Sequence, residues 1–191
     1  SLFEGVCMNL TIHLTQVAPE ESGVIYSTQY NRWTPDGRGV LFSNLDYLLV
    51  DPNCFLFPFA IPKLQSKFDN GLLKKIKDQQ PLYTILSTGQ TKQRMFYRTA
   101  GGRYFKIFSD REFGSESKSN KDKCLQKEVD VHEIIAVLSS SLWWVYYTLH
   151  FDMYNCKDYM MYNFRYNPGT KVSAGLIELG KKLCKDMYSN A

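Results

Sequence analysis

Two apolar patterns of different period stand out along this chain. Between Arg94 and Phe108 the sequence RMFYRTAGGRYFKIF sets two aromatic, β-prone runs on either side of Ala100-Gly101-Gly102. Run, turn and run predict a β-hairpin, with glycine supplying the positive φ that the turn requires. Further on, Val131, Ile134, Ile135, Leu138, Leu142, Val145, Tyr146 and Leu149 recur at helical spacing. They predict one long helix over 131–149, with Asp130 as N-cap and Glu133 at the capping-box position. Past Ser139-Ser140-Ser141 this helix is apolar nearly all round, through Trp143, Trp144 and Tyr147. That predicts burial on several sides, or one face left for a partner.

The remaining elements follow from weaker signals. Val6, Met8, Leu10, Ile12 and Leu14 alternate with polar or small residues, a period-two strand pattern. A turn at Pro19–Gly23 and the run VIYSTQY would complete a hairpin. Its abrupt beginning suggests a piece that once finished the sheet of another domain. Thr34-Pro35 reads as a helix start, with the helix running to about Asn44 and weakened by Gly37 and Gly39. DYLLV is a short strand, followed by an aromatic loop punctuated by Pro52, Pro58 and Pro62. Ser66-x-x-Asp69 resembles a capping box opening a helix to about Lys77, with Leu72, Leu73 and Ile76 inward. PLYTILSTGQT would lead by a strand and a glycine turn into the basic hairpin. The polar segment Asp110–Lys127 predicts an exposed, mobile loop. MYNCKDYMMYNF would hold a short helical turn. Thr170–Tyr188 closes with an amphipathic helix whose inward stripe is Val172, Leu176, Leu179, Leu183 and Met187.

Charge sharpens the picture of the hairpin. The 191 residues carry a net charge of only +4. Lys92–Lys127 alone holds ten Lys/Arg against four Asp/Glu, so the rest of the chain is acidic overall. A positive field concentrated on one segment suits a polyanion-binding face. Cations among aromatic rings on a stiff ribbon suit nucleic acid, because cations neutralise phosphates while rings lie on sugars or bases. The candidate DNA contacts are Lys92, Arg94, Tyr97, Arg98, Arg103, Tyr104 and Lys106. The arginines are the candidates for base reading, since the guanidinium fork matches guanine O6 and N7. Lys92 and Lys106 are the candidates for phosphate.

Other chemistry is sparse. Cys7, Cys54, Cys124, Cys156 and Cys184 are odd in number and far apart, without a C-x-x-C pair. They predict free thiols in a reducing cytosol rather than a zinc ribbon or a disulfide framework. We expect no signal peptide and no membrane span, hence a cytoplasmic protein. His13, His132 and His150 fall in unrelated patterns and predict no metal site. No nucleophile elbow, P-loop or dinucleotide fingerprint occurs, and Asp130 with Glu133 is better explained by capping than by acid–base work. No catalytic, cofactor-binding or metal-ligating set is predicted.

Four stretches in order, LFEGVCMNLTIHL, YSTQYNRW, RMFYRTAGGRYFKIF and EIIAVLSSSLWWVYYT, resemble the C-terminal target-recognition region of bacterial restriction-modification DNA adenine-N6 methyltransferases. The resemblance covers most of the chain, including its final helix. It implies an N-terminal methyltransferase domain in the parent chain, binding S-adenosylmethionine and carrying an Asn-Pro-Pro-Tyr-type motif, sometimes with a fused nuclease. Neither the cofactor loop nor that tetrapeptide is in these residues, so no cofactor is expected here. The resemblance also implies that residues 1–30 belong to the methyltransferase sheet and that 31–191 form the DNA-reading domain. Such enzymes extrude their target adenine, so a second domain must hold the flanking double-stranded DNA. No base contact carries over from the family; the contact set rests on charge and the hairpin. The expected fold is α+β: a small, mostly antiparallel sheet with a basic β-hairpin, covered by two or three helices. The alternative is a protein-interaction module that docks a partner subunit through its aromatic helix.

Overall fold

The computed structural model describes residues 12–17, 23–31, 34–100 and 106–190. Among them it contains five α-helices and two small antiparallel sheets, an α+β fold. The chain divides into two compact units, Ser1–Lys74 and Lys75–Ala191, so the expected boundary at residue 30 falls inside the first.

In the first unit, β1 (Tyr26–Ser27) pairs antiparallel with β2 (Leu48–Leu49), Tyr26 opposite Leu49. The partner of VIYSTQY is therefore DYLLV. Residues 12–17 lie in no strand, and the earlier part of the expected hairpin lies outside the described residues. The expected helix to Asn44 is replaced by two single 3₁₀ turns, Arg38–Val40 and Phe42–Asn44. Two glycines in so short a segment cost too much for an α-helix to propagate. The start of α1 (Asp69–Lys77) matches the capping-box pattern. The buried Asp69 carboxylate accepts from the backbone N–H groups of Gln65 and Ser66 at 2.6 and 2.8 Å. Leu73 and Ile76 are buried as expected.

The second unit is built on β3 (Arg94–Arg98), the middle strand of the order β4-β3-β5. β4 (Phe108–Ser109) pairs with it antiparallel, Tyr97 opposite Phe108, so the two arms of the basic hairpin do meet. The other neighbour is β5 (Asn120–Cys124), paired over its whole length from Arg94–Cys124 to Arg98–Asn120. This corrects the mobile loop expected over 110–127. NKDKC has no apolar alternation because it is an edge strand, where lysines are tolerated and deter further pairing. Leu82–Ile85 is a 3₁₀ turn rather than a strand; the Leu82 N–H bonds to the carbonyl of Phe164 at 2.8 Å.

The long helix is broken in two, α2 (Val131–Leu138) and α3 (Ser141–His150). Ser140 takes an extended conformation between them. Its hydroxyl donates to the Val137 carbonyl at 2.6 Å and accepts from the Trp143 N–H at 3.3 Å. Such local serine bonds compete with helix continuation and favour a cap. Both halves bury their apolar faces: Ile134, Ile135 and Leu138 on α2, Trp143, Tyr146 and Tyr147 on α3. The rings of Trp143 and Tyr147 stack, and Phe108 meets Trp143 edge-on. A five-residue α4 (Asp158–Tyr162) brings Tyr162 edge-on to Tyr97.

The last helix, α5 (Ser173–Ser189), lies closely against α2, by a face that keeps Leu176, Leu183 and Met187 half-buried but is turned away from Val172 and Leu179. Val172 and Leu179 are exposed, whereas Ser173, Gly180 and Cys184 are buried. A Cβ on Gly180 would stand 2.0 Å from the carbonyl oxygen of His132. The small side chains let the helix backbones come together, and the larger ones are displaced from the seam. Glu133 is also buried there rather than capping α2. Its carboxylate accepts from the Tyr166 and Ser173 hydroxyls, both at 2.6 Å, and from the Gly169 N–H at 3.3 Å. Gly169 has a φ of +76°, a conformation that glycine adopts without steric cost. No helix among the described residues is long and apolar enough to cross a membrane.

Candidate functional site

Strand alternation sorts the expected DNA contacts. Arg94, Phe96 and Arg98 project from one face of β3, Met95 and Tyr97 from the other. Met95 and Tyr97 have no exposed surface. The Tyr97 hydroxyl donates to the Asp158 carboxylate at 2.7 Å, and burial raises its pKa. Tyr97 is thus a core residue, and this corrects its assignment as a contact. Lys106 is also withdrawn. Its ammonium donates to the carbonyls of Met153 and Tyr154, at 3.2 and 3.0 Å, and lies 5.6 Å from the Tyr147 ring centre. Burial pushes its pKa down, and Lys106 here holds the 153–154 turn instead of standing free on the surface with Lys92 and Arg94.

Lys92 and Arg94 remain on the surface. The Arg94 guanidinium meets Asp122 across the ladder at 2.8 Å and covers the Phe96 ring at 4.9 Å. Arg98 is half-buried, and its Nε has no hydrogen-bond partner among the described residues. Lys118, Lys121 and Lys123, given no role by the sequence argument beyond their charge, are exposed beside or along the edge strand β5. Lys123 comes within 3.8 Å of Asp158. Arg103 and Tyr104, expected at the tip of the hairpin, lie outside the described residues.

Beyond β4 a cavity of about 740 Å³ is lined by Phe108, Phe113, Trp144, Leu183 and Met187 among others. Lys106 is its one charged lining residue among the described ones. Among the described residues no carboxylate or imidazole lines it. Trp143, Tyr146 and Tyr147 are core side chains, so docking through the aromatic helix would have to use Leu142 and Trp144.

A second polar cluster was not foreseen. His132 lies between two carboxylates, with Nδ1 3.0 Å from Asp130 and Nε2 3.1 Å from Asp110. The Tyr188 hydroxyl donates to the other Asp110 oxygen at 3.1 Å and also contacts Ser109. Burial would raise the Asp110 pKa, but the bonds from His132 and Tyr188 outweigh it and leave it lowered. The buried Cys184 thiol completes the group, its pKa pushed up by burial to about 11. Burial thus favours the protonated thiol over the thiolate. These residues are scattered along the sequence, so no spacing motif announces them; only Asp130-x-His132, read as a cap, touches the cluster.

Compared with protein-family models, curated proteins and solved structures, the chain finds no match.

Proposed function

We propose that this chain is a duplex-DNA-reading domain, the specificity region of a site-specific adenine-N6 methyltransferase of a restriction-modification system. S-adenosylmethionine and the methyl-transfer step would belong to a methyltransferase domain of the same parent chain, as the sequence resemblance implies. The observation that carries the reading is the concentration of exposed cations on two neighbouring strands of the three-stranded sheet and on their approaches. Lys92 and Arg94 are exposed on the middle strand and its approach, and Lys118 and Lys121 on the edge strand and its approach. Arg98, half-buried on the same strand, adds a further guanidinium. A two-stranded ribbon fits the major groove, and cations spaced along it would reach the flanking phosphates.

Selection of residues 1–191 against a pool of randomised duplexes tests this, followed by titration of the enriched and a scrambled duplex at several salt concentrations. One motif should be enriched. Arg98→Ala should lose ~1–3 kcal/mol for the enriched duplex only, as a base contact does. Lys92→Ala should weaken both duplexes equally and flatten the salt slope by roughly one unit. Absence of enrichment, with binding that ignores salt, would defeat the reading.

A further inference from the structure

We propose that Asp110, His132 and Cys184 form a zinc site that ties the end of β4 to α2 and α5, with solvent as the fourth ligand. One carboxylate oxygen, one imidazole nitrogen and the thiol sulfur lie within 4.8 Å of one another. Mixed oxygen, nitrogen and sulfur donors in a tetrahedral arrangement are the donor set of Zn²⁺.

The hydrogen-bond arithmetic at His132 points the same way. Both ring nitrogens face a carboxylate, at 3.0 and 3.1 Å. A neutral imidazole has one N–H and can satisfy only one of them. If Nδ1–H donates to Asp130, then Nε2 and the Asp110 oxygen are two lone pairs facing each other. A second ring proton or a metal cation between them removes the conflict. A metal ion at that point also has the Cys184 sulfur within reach, and the thiol proton passes to solvent when sulfur binds. Asp130 then does what the outer carboxylate of a carboxylate–histidine–zinc triad does, fixing the tautomer and the ring orientation. The His132 and Asp110 side chains are 20% and 22% exposed, enough to admit the ion and a water.

The site is separate from the cationic strands proposed to bind DNA, so the two readings can fail independently. The test uses residues 1–191 freed of metal by chelation, then titrated with Zn²⁺ in competition with a chromophoric chelator and, separately, with Co²⁺. One equivalent should bind. The Co²⁺ form should show a thiolate-to-metal charge-transfer band and tetrahedral d–d absorption. Asp130→Asn should weaken zinc ~10–100-fold, the usual effect of removing an outer partner, and His132→Gln or Cys184→Ala should weaken it further. Cys124→Ala should change nothing. Where a variant does not fold, the cobalt spectrum and the binding stoichiometry of the unaltered chain decide. No stoichiometric binding, no thiolate band, or binding that survives Cys184→Ala in a folded variant would overturn the proposal.

Discussion

The seam between α2 and α5 and the ladder between β3 and β5 are both rich in polar groups, and they hold them in opposite ways. In the seam, Glu133 is 2% exposed and accepts from three donors. There water cannot replace a lost partner, so each broken bond leaves a desolvated group behind. In the ladder, Arg94 and Asp122 pair with 43% and 40% of their side chains exposed. Solvent screens that pair and can replace either member. The seam's polar groups therefore specify the fold, while those of the ladder are free to exchange one another for a ligand.

The contrast is broken most severely at Gly180. Any Cβ there collides with the His132 backbone, which cannot rotate aside. Gly180→Ala should destabilise the chain by about 3 kcal/mol or more, at or beyond the upper end of the overpacking range, although alanine is the better helix former. An unchanged denaturation midpoint would mean that the helices do not approach at this residue. Next comes Glu133→Gln, which keeps the shape and removes the charge that three donors face. We expect a loss of about 2 kcal/mol, within the range for hydrogen bonds to charged groups, read by urea unfolding. The same substitution at the exposed Glu178 should be close to neutral.

A pH test separates the buried side from the exposed one without a mutation. Burial is the leading cause of raised pKa values at Tyr97, Tyr146, Tyr147, Tyr162 and Tyr166, the last to about 12 from the ordinary 10.0. Above the ordinary value the unfolded chain has released these protons while the folded chain keeps them. The unfolded state then binds fewer protons, and stability falls as pH rises. The urea midpoint should drop from about pH 9 up to about pH 12, with the tyrosinate absorbance of these five side chains appearing at unfolding rather than before it. Tyrosinate absorbance that develops fully while the chain stays folded would place those hydroxyls in solvent.

The same contrast explains what could be read from the sequence. β3 was legible because Met95 and Tyr97 alternate with Arg94, Phe96 and Arg98. That alternation also holds the sign that Tyr97 faces the core, a sign masked by its basic neighbours. β5 was illegible because an edge strand needs no apolar face. The break at Ser139-Ser140 was hidden because the apolar stripe continues across it while a serine hydroxyl turns the backbone. The face of α5 was only partly legible because leucines at helical spacing predict burial by area, whereas Gly180 allows an approach that only small residues permit. The cluster at His132 joins three distant segments and becomes visible only once they are folded together.

The smallest effect on stability should come from the ladder, and it bears most directly on function. Asp122 now holds the Arg94 guanidinium at 2.8 Å, and its own charge would repel a phosphate brought to that edge. Asp122→Asn removes the repulsion and releases the arginine, while the strand pairing, made by backbone groups, stays intact. Its unfolding midpoint should match that of the parent, since an exposed pair of this kind contributes little. Duplex binding should tighten, and the slope of log K against log salt should steepen by roughly 0.9, the increment for one more neutralised phosphate on duplex DNA. Arg94→Ala in the same background should cancel the gain. If Asp122→Asn leaves both affinity and slope unchanged while the chain still binds DNA, then this edge of the sheet does not touch the duplex. The contacts would then have to come from Arg98 and the hairpin tip.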